Sequence, residues 1–297
     1  MKKIGFLGLG VMGLPMAINV LNKSGCQVLG FDVAQARLDQ FQEAGGIPIT
    51  DPEEIYTTCE VIMQMLPTHA TITHSFDEAI RLSKPGTVLL DLDSTAPDII
   101  LDYYPKLKAA GIALLDSPVS GGNPMAIAGT LAIMTGGDKE VFDEVKPLLE
   151  CMGKPVYTGG PASGSTTKLV NNMIGGAQLV AMAEGYAFAA KAGIDLQTTF
   201  EATRVGFAGG PMYDNKIPKI IARDYRPGAR IAVHRKDIIN AKHFAHKLGI
   251  DTPMTDVTLH VMDWMKDNGY IDYDQAALVK YYEAKMDVTV GEGEEQV

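Results

Sequence analysis

Cysteine is scarce in this chain of 297 residues: Cys26, Cys59 and Cys151 stand far apart, with no C-x-x-C spacing. That excludes a disulfide framework and a cysteine metal knuckle, and it fits a reducing cytoplasm. Basic clusters are missing as well. With 26 Lys and Arg against 36 Asp and Glu, the formal net charge is -10, so a phosphate backbone finds little counter-charge and nucleic acid is excluded as a partner. No metal pattern is complete: His243 and His246 share helical i, i+3 spacing but have no third ligand, and they read as surface histidines. The longest apolar run, from Ser163, is interrupted by Lys168, Asn171, Asn172 and Glu184, which excludes a membrane span. The single tryptophan, Trp264, lies among methionines at core spacing and reads as packing or a subunit contact. What remains is 46% hydrophobic and 21% charged, the make-up of a globular chain with room for one large domain or two ordinary ones.

The opening stretch, "MKKIGFLGLGVMGLPMAINVLNKSG", puts two lysines before an apolar run, as a signal peptide does. Its glycines decide otherwise. Lys2 to Leu7 has strand character, Gly8, Gly10 and Gly13 form G-x-G-x-x-G, and Met12, Met16, Val20 and Leu21 recur at helical spacing. In such a strand–turn–helix the first glycine permits the bend, the second lets the backbone approach a pyrophosphate, and the third lets helix pack on strand. The helix N-terminus then offers unpaired N–H groups to the phosphates. The turn from Gly8 through Leu9, Gly10, Val11, Met12 and Gly13 is therefore a cofactor site. A second strand, "QVLGF", ends at Asp32, placed to accept hydrogen bonds from an adenosine ribose. Val33 rather than arginine follows it, and Arg37 is a helical turn away, so NAD is favoured over NADP. A second task for Asp32, capping a helix over Gln35 to Ala44, is compatible with the first.

Apolar runs continue in "EVIMQMLP", "TVLLDLDS", "IALLDSPV", "TLAIMTGG" and "PVYTGG", with helical segments between most of them. Runs apolar at nearly every position imply a parallel sheet covered on both faces, with ligands at the strands' carboxyl ends. Met65–Thr68, Asp91–Thr95 and Asp116–Gly122 are the strand ends to watch. From Ser163 a helix of about 28 residues, roughly 40 Å long, is expected between two bodies of protein, and only helices follow. The expected division is residues 1–163 as a dinucleotide-binding α/β domain, 164–193 as a connecting helix, 194–290 as an all-α domain for substrate and oligomerisation, and 291–297 as a disordered acidic tail.

Four stretches, "GLGVMGLPMAINV", "DSPVSGG" followed by "GTLAIMTGG", "GSTTKLVNN", and "KD" within "HRKDIINA", appear in this order. In them the chain resembles the β-hydroxyacid dehydrogenase family, which includes 3-hydroxyisobutyrate dehydrogenase and tartronate semialdehyde reductase. The resemblance implies a Rossmann-type domain joined by a long interdomain helix to an all-α domain, with NAD(P) and substrate in the cleft. It implies an oxidoreductase interconverting a small 3-hydroxy acid and its semialdehyde, in a homodimer or homotetramer. By resemblance Lys168 is catalytic, Asn172 orients the substrate, and Ser120, Gly121 and Gly122 hold its acid group. Leu66, Pro67 and Thr95 lie against the cofactor, and Lys236 closes over nicotinamide and substrate with Asp237 nearby.

Elementary chemistry agrees with those roles. Lys168 and Asn172 are i and i+4, on one helix face near the N-terminal end, with Asn171 bordering it. A lysine beside a positive helix end and partly buried is driven toward the neutral amine, able to exchange a proton with a substrate hydroxyl while hydride moves. Ser120 has a hydroxyl to donate, and Gly121 and Gly122 expose N–H groups to an anion. Two alternatives stand beside this reading. Imine reductases on the same scaffold generally replace the lysine, and a non-catalytic NAD(P)-sensing module needs none of Lys168, Asn172 and Ser120. One departure from the family is "ARIAVHRKD", where relatives have apolar residues. Arg230, His234 and Arg235 there lead to the expectation of extra positive charge in the pocket, suited to a substrate with a second acidic group. "RVGFAGGPMYDN" is expected to line the pocket from the helical side.

Overall fold

The computed structural model describes residues 3–297, so Lys2 of the first expected strand lies outside the described residues. The chain divides into two compact units, Met1–Lys168 and Leu169–Val297. The first unit thus closes inside the long helix rather than at its start.

The first unit runs β1 (Lys3–Leu7), α1 (Gly13–Ser24), β2 (Gln27–Phe31), α2 (Gln35–Glu43), β3 (Ile47–Pro48), α3 (Glu53–Thr58), β4 (Val61–Gln64) and α4 (His69–Leu82). It continues with β5 (Val88–Asp91), α5 (Pro97–Ala109), β6 (Ala113–Asp116), β7 (Val119–Ser120), α6 (Gly122–Ala128), β8 (Leu131–Gly136), α7 (Lys139–Glu150) and β9 (Gly153–Gly159), then enters α8 (Ser163–Lys191). The sheet order is β3-β2-β1-β4-β5-β6-β8-β7, with β9 on β8. Alternate residues of each central strand enter different cores: Val61 and Met63 of β4, with Val88 and Leu90 of β5, join Met16 and Leu149 on one side. Ile62 and Leu89 join Ile55, Phe76 and Leu107 on the other. Burial on both faces is why these strands read as unbroken apolar runs. Strands β1 to β6 pair in parallel, but β8 is antiparallel to both β6 and β7. The register Asp116↔Gly136, Val119↔Ile133 and Ser120↔Ala132 shows that the segment from β6 into β7 lies against a single partner. The sheet is thereby carried past the carboxyl edge of the parallel strands.

The second unit holds the rest of α8, then α9 (Leu196–Thr203), α10 (Pro211–Ile221), α11 (Ile231–Lys247), α12 (Pro253–Asp267), a 3-10 turn (Gln275–Leu278) and α13 (Val279–Met286). Leu179, Tyr186, Ile217, Ile238, Met262 and Leu278 belong to one buried cluster, and Trp264 packs edge-on against Tyr281 with centroids 5.6 Å apart. Beneath lies an ionic hub. Asp274, wholly buried, accepts hydrogen bonds from Lys216 Nζ at 2.7 Å and from the amides of Gly228, Ala229 and Ala276, with Lys219 Nζ at 3.5 Å. The terminal acidic segment carries hydrogen bonds to the helical unit. Glu292 N donates to Ile221 O, Tyr225 N to Gln296 O and Gln296 N to Arg223 O, and Glu295 accepts from Lys280 at 2.6 Å and Arg223 at 3.3 Å. Its carboxylate has two cationic partners that are distant in sequence, which a composition-based reading does not see. Among the described residues no helix is long and apolar enough to cross a membrane.

Candidate active site

The glycine turn is built by close approach of main chain. Gly8 has φ +91, and a Cβ there would stand 2.3 Å from Met65 O; one on Gly13 would stand 1.9 Å from Gly8 O. A Cβ on Gly10 would meet nothing within 4 Å. The first and third glycines are therefore required by the protein itself, while the second borders open space, the arrangement a pyrophosphate cradle needs. Asp32 ties the turn to the end of β2: Oδ2 accepts from Leu9 N at 2.7 Å and Oδ1 from Ala34 N at 2.8 Å. It holds the approach to α2 through the Ala34 amide, and each carboxylate oxygen keeps lone-pair capacity for a ribose hydroxyl. These residues fit a dinucleotide. Val11 is well exposed, and its carbonyl accepts from Asn123 Nδ2 at 2.6 Å, so the turn is joined directly to the start of α6. The sequence reading missed Asn123, although it follows the marked "SGG".

The next strand ends gather at the same carboxyl edge. Leu66 N donates to both oxygens of buried Asp93, at 2.8 and 2.9 Å, and exposed Pro67 leads into the Thr68–Thr71 capping box of α4. Thr95 is buried, and Gln64 Nε2 donates to fully buried Asp91 at 2.9 Å. Burial raises the Asp91 carboxyl above its ordinary range. Beyond β7, Gly121 (φ +138) and Gly122 (φ +67) adopt backbone that favours glycine, presenting main chain beside Ser120.

Lys168 is on the second turn of α8 and 9% exposed. Four residues before it, a Cβ on Gly164 would stand 2.3 Å from Asp116 O and 2.4 Å from Met134 O. That helix face is thus pressed on the ends of β6 and β8, and Lys168 continues it.

In the second unit, Asn172 Nδ2 donates to Asp237 Oδ2 at 2.8 Å, Asn171 Nδ2 donates to Asn172 Oδ1 at 3.0 Å, and Lys236 Nζ lies 3.4 Å from Asp237 Oδ1. Lys236 is half exposed and Asp237 buried. The three cationic residues before "KD" each have a partner in the helical unit. Arg230 pairs with Asp272 at 3.3 Å and Arg235 with Asp263 at 2.7 Å. Buried His234 places Nε2 2.9 Å from Asn172 O and Nδ1 3.1 Å from Gln275 Nε2. Each has a partner inside its own helical unit, and both arginine charges are met by aspartates.

The chain is similar to known proteins along nearly its whole length. Residues 3–160 match the NAD binding domain of 6-phosphogluconate dehydrogenase, and residues 162–282 match the model described as NAD-binding of NADP-dependent 3-hydroxyisobutyrate dehydrogenase. The chain is 33% identical to 2-hydroxy-3-oxopropionate reductase of Escherichia coli (strain K12), over 95% of this chain and 97% of the relative. It is 31% identical to 2-(hydroxymethyl)glutarate dehydrogenase of Eubacterium barkeri, over 98% of each. Among solved structures, 3-hydroxyisobutyrate dehydrogenase of Mycobacterium tuberculosis with L-serine has a TM-score of 0.85 at 26% identity, covering 94% of this chain and 98% of that one.

Proposed function

The chain belongs to the β-hydroxyacid dehydrogenase family and is an NAD-dependent hydroxyacid dehydrogenase acting on a CH–OH group, and from that premise we propose that it interconverts a small 3-hydroxy acid and its semialdehyde with Lys168 as proton donor and acceptor. The substrate class follows from the chemistry in two relatives' names. Both 2-hydroxy-3-oxopropionate and 2-(hydroxymethyl)glutarate carry an aldehyde or primary alcohol on the carbon β to a carboxylate.

NAD, held at the glycine turn with Asp32 on its ribose and Leu66, Pro67 and Thr95 alongside, supplies the hydride acceptor. Ser120 and the main-chain N–H groups at Gly121 and Gly122 bind the substrate carboxylate, which fixes the distance to its β carbon. Lys168 takes the hydroxyl proton in oxidation and returns it to the carbonyl oxygen in reduction. Asn172, with one Nδ2 hydrogen on Asp237, keeps the other for the substrate, and Lys236 closes the site. The observation that carries this reading is buried Lys168 on the helix face pressed against the strand ends that bear the Ser120–Gly122 loop.

The test follows the reduced-nicotinamide absorbance with 3-hydroxy acids plus NAD, and semialdehydes plus NADH, for wild type and Lys168→Ala. Loss of a proton-transfer group lowers kcat by about 10²–10⁴-fold, with NAD binding retained. Equal turnover in both proteins would remove Lys168 from the reaction.

A further inference from the structure

Asp116 ends β6, four residues before Ser120, and its carboxylate is engaged by main chain far along the sequence. Oδ1 accepts from Ala162 N at 3.0 Å and Oδ2 from Ser165 N at 2.7 Å, a residue 49 positions along the chain. Ala162 immediately precedes α8 and Ser165 lies in its first turn. We infer that Asp116 is a positioning residue for Lys168: its carboxylate clamps the first turn of α8 to the strand edge that bears the Ser120–Gly122 loop, and so sets where the amine stands relative to the substrate's acid group. This rests on the function proposed above.

Three further features point the same way. Ala162 has φ +66, a conformation alanine holds only when its surroundings impose it, and its amide is one of the two on Asp116. Gly164 brings the helix backbone against Asp116 O, closer than any side chain would allow. Asp116 itself is 1% exposed and lies opposite Gly136 in the sheet, so the clamp is walled on the β8 side by a residue without a side chain. A buried carboxylate with two amide donors is a charge-assisted acceptor, stronger and shorter than a neutral one. Burial pushes its carboxyl up to about 6, with Asp91 on β5 raising it further, so it is mostly ionised at neutral pH. Gly136 on β8 brings no titratable group; α8 presents Ser163, Ser165 and, one turn on, Lys168. In this arrangement the carboxylate's negative charge offsets the positive end of α8, on whose second turn Lys168 stands.

The experiment compares Asp116→Asn and Asp116→Ser with wild type and Lys168→Ala, measuring kcat, KM and the pH profile of kcat/KM. Both Asp116 variants are expected to lose tenfold or more in kcat, with hydroxy-acid KM changed less than threefold and NAD affinity retained. The pH limb set by the Lys168 amine should move at least half a unit lower, because a neighbouring negative charge is gone; a merely structural residue would not move it. Variants with kcat within twofold of wild type and an unmoved limb would overturn the inference. So would failure of both to fold or bind NAD, since Asp116 would then serve folding rather than positioning. If Lys168→Ala itself retains turnover, the proposed function fails instead, and the two results are read separately.

Discussion

Replacing Gly13 and, separately, Gly10 by alanine should divide stability from cofactor binding at one turn. At Gly13 the new methyl would stand 1.9 Å from Gly8 O, 3.0 Å from Gly8 C and 3.2 Å from Phe6 Cε1. The first two are main chain, so α1 must back away from β1 rather than a rotamer give way. Forcing a methyl into packed structure costs about 1–3 kcal/mol, and a main-chain obstacle belongs at the upper end. The better helix propensity of alanine returns at most about 1 kcal/mol. A net loss of about 2 kcal/mol lowers the midpoint of a unit this size by roughly 4–8 °C. Gly10→Ala meets nothing within 4 Å, and Gly10 is not among the glycines of positive φ, so its melting temperature should stay within about 2 °C of wild type. Its methyl instead occupies the space proposed for the pyrophosphate, and the NAD Kd should rise tenfold or more, about 1.4 kcal/mol. Melting is best followed by circular dichroism, because the one tryptophan, Trp264, reports on the other unit; calorimetric titration gives the Kd. An unchanged melting point for Gly13→Ala would refute the packing argument, and undiminished NAD affinity in Gly10→Ala would refute the cradle.

Two further outcomes are expected. Burial raises the Asp116 carboxyl to about 6 in the folded chain against an ordinary 3.8, so folding takes up a proton there; this group's contribution to stability is full below about pH 4 and is lost as pH rises from there through about 6, by about 3 kcal/mol. Wild type should therefore melt higher at pH 5 than at pH 7.5, with a smaller difference in Asp116→Asn; an unchanged difference would remove Asp116 as its source. Asp32→Ala should narrow the preference for NAD over NADP, measured as a ratio of Kd values, because a carboxylate beside the ribose repels a 2′-phosphate. A ratio unaltered by the substitution would take Asp32 out of cofactor selection.

The glycine turn, the central strands and the long helix were legible because local spacing carries them: three glycines at fixed offsets, apolar runs without alternation, and 29 helical residues from Ser163 to Lys191. What escaped depends on partners far along the chain. Nothing within "TLAIMTGG" states that β8 runs antiparallel, since direction is decided by which segment reaches it, here Asp116–Ser120. Arg235 looks like a free cation until Asp263, a helix away, is beside it. Glu295 looks solvated until Arg223 and Lys280 are in reach. The same limit hid the partners of Asp116, a marked strand end whose carboxylate accepts from the Ala162 and Ser165 amides.

The hub at Asp274 has a consequence for how such a chain can diverge. One carboxylate neutralises Lys216 and receives three amides, so no single exchange there is silent: losing the acid strands a buried ammonium, and losing Lys216 leaves a buried anion with only the more distant Lys219. Drift at either position must pass through a disfavoured intermediate or occur as a pair. Surface helices of the same unit face no such toll, and lineages of this protein should record the difference as a pair frozen together amid freely changing neighbours.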